Sequence, residues 1–252
     1  MSKKIDPESL ALHEKRIHSC ESCPRLRRHC LAIAKTKRRS TAAEGYWGRP
    51  IAPFGSLDSR LFIMGLAPAA HGANRTGRIF TGDRSGDWLY RALHRAGFAN
   101  QSESKSRFDG LKLRDAVVSC VVKCAPPDNK PAPAELARCM THFAEDEIEL
   151  YSHARVYVAL GGIAWNGLWK LLQQGSPRAM FRHGAEVRLA KQPSWREDRF
   201  LIGSYHPSQQ NTFTGRLTEP MFDDIFLRAR ELLNVSEQDR REALAASEVS
   251  TN

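Results

Sequence analysis

Two pairs of cysteines carry the clearest chemical signal in the chain. Cys20-Glu21-Ser22-Cys23-Pro24 sets two thiols one turn apart, and Cys124 and Cys139 make a wider pair with Pro126 and Pro127 between them. Two such pairs can close four-thiolate coordination of zinc or of an iron-sulfur cluster, and spacing does not separate the two. Cys120 lies in a Val-rich run and reads as a small core residue, while Cys30 sits on a basic helical stretch as a spare thiol or a further ligand. The other reactive candidates are His206, Asp83 and Asn129. A histidine can donate to an oxygen that gathers charge. A carboxylate can orient water, although Thr81-Gly82-Asp83 ahead of a helix is also a capping pattern. An asparagine presents both a donor and an acceptor.

Four short apolar runs must position these residues: 60–65, 116–122, 155–160 and 200–205. Their near-continuous hydrophobicity predicts parallel strands covered on both faces. Helical patterns separate them, at Asp87–Ala96 ended by Gly97, at Ala134–Met140 and at Ile163–Leu172. A further helix starts at Thr218 with Pro220 in its first turn and buries Phe222, Ile225, Phe226, Ala229 and Leu233. The alternation implies an α/β fold, a three-layer α/β/α sandwich around a mostly parallel four-stranded sheet. Ligands of such sheets bind beyond the carboxyl ends of the strands, so the loops carrying Gly65–Asp83, Asn129, Gly161-Gly162 and His206 should meet at one crevice.

Composition fixes the setting. At 252 residues the chain fits one domain, spanning 1–234, with a basic helical segment over 8–39 and a polar, aromatic-free tail over 235–252 that reads as disordered. A formal charge of +10 favours a polyanionic partner, nucleic acid first, though charge alone also suits a merely soluble basic protein. No apolar run is long enough to span a bilayer, and Met1–Asp6 lacks a signal-peptide stretch, so no membrane role and a cytoplasmic location are expected. Thiols are kept reduced there, which turns the cysteines toward metal ligation or burial.

The segment Gly65–Asp83, GLAPAAHGANRTGRIFTGD, resembles the first motif of the iron-sulfur uracil-DNA glycosylases of family 5 nearly residue for residue. Ser204–Thr212 with Thr214–Thr218 is similar to the family's second motif, and Cys20/Cys23, Cys124–Pro131 and Cys139 to its cluster-bearing segments. The resemblance covers roughly residues 15 to 234. It implies a 4Fe-4S cluster on Cys20, Cys23, Cys124 and Cys139, and a monomeric, monofunctional DNA-repair glycosylase. Uracil would be its substrate, with hypoxanthine, mismatched thymine and ethenocytosine as further bases. Two departures matter. Ala69 stands where many relatives carry Gly, and Ala67 where other glycosylases of the superfamily place a water-orienting Asp or Asn.

That resemblance gives the loop residues expected roles. Breaking an N-glycosidic bond leaves negative charge on the departing base, and the nucleotide must first be flipped from the duplex at a cost of roughly a few kcal/mol. His206 would donate to the base oxygen, Asp83 would orient water unless it only caps its helix, and Asn129 would read the base edge unless it is a turn residue of its Pro-rich loop. Gly65, Ala67, Ala69, His71 and Asn74 would line the base site, with Phe80 as a stacking platform unless it is a buried core residue. Arg75 or Arg78 would face phosphate unless paired with a surface acid, and Gln209, Gln210 or Phe213 would fill the vacated stack. Two rival readings are a uracil-narrow relative of family 4 and a zinc-stabilised nucleic-acid-binding protein without glycosylase activity.

Overall fold

The computed structural model describes residues 7–249 apart from 176, 194 and 196, with side chains described as far as 234. The chain opens with α1 (Pro7–His18) and α2 (Pro24–Thr36), broken between them by the Cys20–Cys23 turn. Strand β1 (Phe54–Gly55) leads to β2 (Leu61–Gly65), then α3 (Ala73–Thr76), α4 (Arg84–Arg95) and β3 (Ala116–Cys120). Helices α5 (Pro133–Cys139) and α6 (Glu145–Leu150) are joined through a wide π-turn over Met140–Ala144. Strand β4 (Val156–Leu160), α7 (Gly162–Leu171), β5 (Glu186–Arg188), β6 (Phe200–Ser204), α8 (Gln209–Phe213) and α9 (Glu219–Val249) complete it.

The strands form one six-stranded sheet in the order β1-β3-β2-β4-β6-β5. The four central strands are parallel and coincide with the four apolar runs, while β1 and β5 are antiparallel edges. These two strands were not expected. They are two and three residues long, too short for any alternation to register in sequence.

Both faces of the sheet are buried because alternate residues of each strand point to opposite sides. Leu61, Ile63, Val118, Val156 and Val158 pack under α4 and α9 through Leu89, Leu93, Phe222 and Phe226. Phe62, Met64, Val117, Tyr157 and Ala159 face α1, α2 and α7 through Ile17, Leu26, Trp165 and Leu168. Each side chain of this kind contributes about 1.5–3 kcal/mol on burial. The five apolar residues expected to anchor the last helix, Phe222 to Leu233, are all buried. That helix runs on to Val249, through most of the segment expected to be a disordered tail; residues 250–252, and Met1–Asp6 where no signal-peptide stretch is expected, lie outside the described residues. Among the described residues no helix is long and apolar enough to cross a membrane.

The face carrying α1 also holds a charge network. Lys123 and Glu147 are 2 % and 0 % exposed, with Nζ 2.6 Å from Glu147 Oε1. The ammonium also donates to Ser119 Oγ at 2.7 Å and Cys120 O at 2.7 Å, and Ser119 donates to Glu147 Oε2 at 2.7 Å. His13 of α1 approaches the same carboxylate at 3.4 Å. Every lone pair and proton so paired lowers the desolvation cost, but removing one partner strands the other. Glu147→Leu should therefore lower the unfolding free energy by about 3–5 kcal/mol, and adding Lys123→Met should restore most of it, measured by urea denaturation.

Candidate active site and thiol pocket

Three of the four strand-end loops meet around His206. The residue follows β6 and is half-buried, its ring 5.9 Å from that of Phe80 at 33°. From the loop after β4, Gly161 at φ +97 comes so near that an added Cβ would sit 3.7 Å from His206 Cβ. Phe80 belongs to the loop after β2 and lies over Gly65, where a Cβ would fall 2.8 Å from the ring. Glycine at position 65 thus leaves room for the aromatic. Burial pushes the His206 imidazole down to about 4, so it is neutral near pH 7. No described residue hydrogen-bonds its ring nitrogens, which leaves a neutral N–H available to a ligand.

Phe80 takes a positive φ of 50, unusual for an aromatic residue. The turn around it is tied from all sides. Its carbonyl packs on Gly86, where a Cβ would lie 1.8 Å away, and Tyr90 Oη donates to Ile79 O at 2.8 Å. Arg78 is buried and donates to Thr81 Oγ1 at 2.9 Å, Ser104 Oγ at 3.1 Å and both Asp109 oxygens at 2.9 and 2.8 Å. Burial alone would raise the Asp109 carboxyl, but Arg78 and backbone amides hold it down at about 2. Arg75 donates to His71 O at 2.8 Å and Gly82 O at 2.9 Å and pairs with Glu44. Both arginines meet acids rather than open solvent, and both brace the turn.

Asp83 caps α4, accepting from Gly86 N at 3.0 Å. Burial raises its carboxyl, and the carboxylate lies against Gly72, where a Cβ would come 1.8 Å from Oδ2. Capping is therefore real and leaves the second oxygen at the first-motif loop. In that loop Ala69 O accepts from Gly72 N and Asn74 N, and Ala67 packs toward the α1 face. His71 Nδ1 bonds Tyr46 Oη at 3.0 Å. Asn74 is buried and turned inward, donating to Cys30 O at 3.2 Å, with Oδ1 unpartnered. Asn129 is exposed beside Asp128, both at positive φ (56 and 54), and its side chain makes no hydrogen bond to a described residue. Gln209 and Gln210 are exposed on α8; Phe213, 68 % exposed, carries the Arg84 guanidinium 4.4 Å from its ring centroid.

Cys20, Cys23, Cys124 and Cys139 line one pocket together with Leu26, Pro50 and Val122. Arg138 Nη1 reaches Cys23 Sγ at 3.9 Å and Lys123 N reaches Cys139 Sγ at 3.4 Å. All six cysteines are free thiols. One tetrahedral ion held at about 2.3 Å needs its sulfurs about 3.8 Å apart. Among the described residues no three ligating side chains gather as a single metal ion requires. Cys120 is buried in the sheet, its thiol pushed up to about 12 by burial, and Cys30 is buried with its thiol against Ala125 O at 3.5 Å.

Sequence reasoning missed the supports of the site. Ser104 and Asp109 hold Arg78 from a loop well separated in sequence, and His183 accepts from Tyr205 N at 3.1 Å while bonding Met221 O at 3.2 Å. Asp109-Gly110 was readable as a turn, but no pattern tied it to Arg78.

His206 supplies a pH test. Its folded value near 4 lies below the ordinary 6.5, so the unfolded chain binds the extra proton between those values, and stability falls as pH drops across that window. In thermal melts from pH 7 to 4.5, His206→Gln should lose less stability than the parent.

Comparison with known proteins gives a consistent result. The uracil DNA glycosylase superfamily profile matches residues 52–230. A type-5 uracil-DNA glycosylase of Mycobacterium bovis is 48% identical over 220 residues, covering 87% of this chain and 80% of that protein. The type-5 enzyme of Thermus thermophilus is 44% identical over 214 residues, covering 85% and 94%. That of Pyrobaculum aerophilum is 41% identical over 214 residues, covering 85% and 89%.

Proposed function

This chain belongs to the uracil DNA glycosylase superfamily, within its type-5 group, and on that premise we propose that it hydrolyses the N-glycosidic bond of uracil in DNA, leaving an abasic site. The observation that carries the reading is the neutral His206 imidazole, without a hydrogen-bond partner for its ring nitrogens among the described residues and set against Phe80 where three strand-end loops meet. As the bond breaks, the pyrimidine oxygen gains charge and His206 donates to it. Such a preorganised donor is worth about 2.7–4 kcal/mol. A neutral donor suits this task because its protonation state does not change between pH 6 and 9. Phe80, only 6 % exposed, would offer the flipped base the edge of its ring beside His206, and Asn129, exposed in the loop after β3 with no side-chain hydrogen bond to a described residue, would read the base edge. Asp83, kept close by Gly72, orients the attacking water through the oxygen its cap leaves over. No covalent nucleophile is needed. The resemblance to family 5 also favours breadth beyond uracil, toward hypoxanthine and other damaged bases.

The four pocket thiols share one pocket, and we read them, as the family resemblance implies, as the holders of a 4Fe-4S cluster. Cys20, Cys23, Cys124 and Cys139 would hold it. Its contribution there is a crosslink that fastens the α1–α2 turn to the loop after β3. The protein is expected to act as a monomer on DNA.

Purified protein is incubated with a uracil-containing oligonucleotide, abasic sites are cut with alkali, and its visible absorption is recorded. Brown colour with strand cutting is expected; a colourless protein that binds DNA and releases no base would favour the zinc reading. His206→Ala should slow single-turnover excision at least roughly tenfold while DNA binding survives. Cys139→Ala should lower yield and melting temperature, not merely the rate.

A further inference from the structure

Outside the first-motif turn lies a cluster that the proposed chemistry leaves unused. Trp47 is fixed to that turn by its backbone, donating to Arg75 O at 2.9 Å, while Gly48 N donates to Asn74 O at 3.0 Å. Its indole covers Gly77, which sits at φ +78; a Cβ there would lie 3.1 Å from the ring and 3.2 Å from Arg107 Nη1. The Arg107 guanidinium stands 4.7 Å from the Trp47 ring centroid and that of Arg49 5.6 Å from it. The same Arg107 lies 5.1 Å from the ring of Phe108, which is 84 % exposed.

Four nearby acids are already engaged, and Glu14, which lines a shallow surface pocket with Arg49, makes no ion pair with it. Glu44 pairs with Arg75, Glu103 with Lys105 at 2.6 Å, Asp109 with Arg78 at 2.8 Å and Glu21 with Arg27 at 3.2 Å. No carboxylate among the described residues pairs with Arg49 or Arg107, and both side chains are exposed. Two guanidiniums steadied on one indole have spent part of their rotamer freedom before any partner arrives. Their charge is uncompensated, and an adjacent exposed aromatic gives a face for stacking. That combination complements a phosphodiester chain better than an acidic peptide, which has no use for the stacking face.

We propose that Trp47, Arg49, Arg107 and Phe108 form a second DNA-contact surface that grips the backbone beside the base site, with Arg49 and Arg107 on phosphates. This rests on DNA being the substrate. Because Trp47 and Arg107 pack directly over Gly77, the surface is coupled to the loop that carries Phe80.

The test is the salt dependence of binding to a uracil-containing duplex by fluorescence anisotropy. Arg49→Gln with Arg107→Gln should reduce the slope of log K against log salt by about 1.8, the value for two lost phosphate contacts. Arg49→Lys with Arg107→Lys should keep most of the slope, and Lys170→Gln with Lys191→Gln, which removes equal charge elsewhere, should change it less. Melting curves confirm that each variant is folded. An unchanged slope in the double Gln variant, or an equal change in the lysine control, overturns the surface. Uracil release by the parent is scored separately. Release with no slope change removes only the surface, whereas a reduced slope in a protein that releases no base keeps the surface and removes the enzymatic reading.

Discussion

A buried guanidinium holds the site together. Arg78 is 6 % exposed, and taking its charge from water is costly unless each donor finds an acceptor. Thr81, Ser104 and Asp109 supply them, and in doing so they fix the turn that forces Phe80 into a left-handed backbone conformation. With Phe80 so placed, its ring reaches over Gly65 toward His206 and its carbonyl settles on Gly86. The strain of about 1–3 kcal/mol that such a residue carries is tolerable only because the surrounding bonds leave it no alternative.

The sheet supplies the other half of the arrangement. Four parallel strands covered on both faces have little room for polar side chains away from their ends, so chemistry collects in the loops. Register then decides which loops meet. Leu160 pairs with Ser204 and Gly65 with Cys120, which sets the starts of the loops after β4 and β6 side by side and places the loop after β2 next to that after β3. The same β3 exit carries Cys124 into the thiol pocket. Lys123, just before it, is held by Glu147 in the core, which makes the geometry of that loop a matter of folding as much as of ligation.

Much of the fold was legible because its signal is local. Apolar runs at 60–65, 116–122, 155–160 and 200–205 became the four central strands, and the periodic burial of Phe222 to Leu233 became α9. The short edge strands were not legible, since β1 and β5 owe their existence to hydrogen bonds offered by a neighbour and not to any pattern of their own.

Of the candidate site, the sequence by itself determined the residue types, the family they resemble and the four cysteines that share one pocket. Only the tertiary structure decided that Arg75 and Arg78 brace a turn, that Asn74 faces inward, and that burial keeps His206 neutral. Those outcomes depend on partners such as Ser104, Asp109 and Cys30, which lie far away along the chain. A charged or polar side chain reads the same in sequence whether it faces solvent or a distant carboxylate, and only packing distinguishes the two.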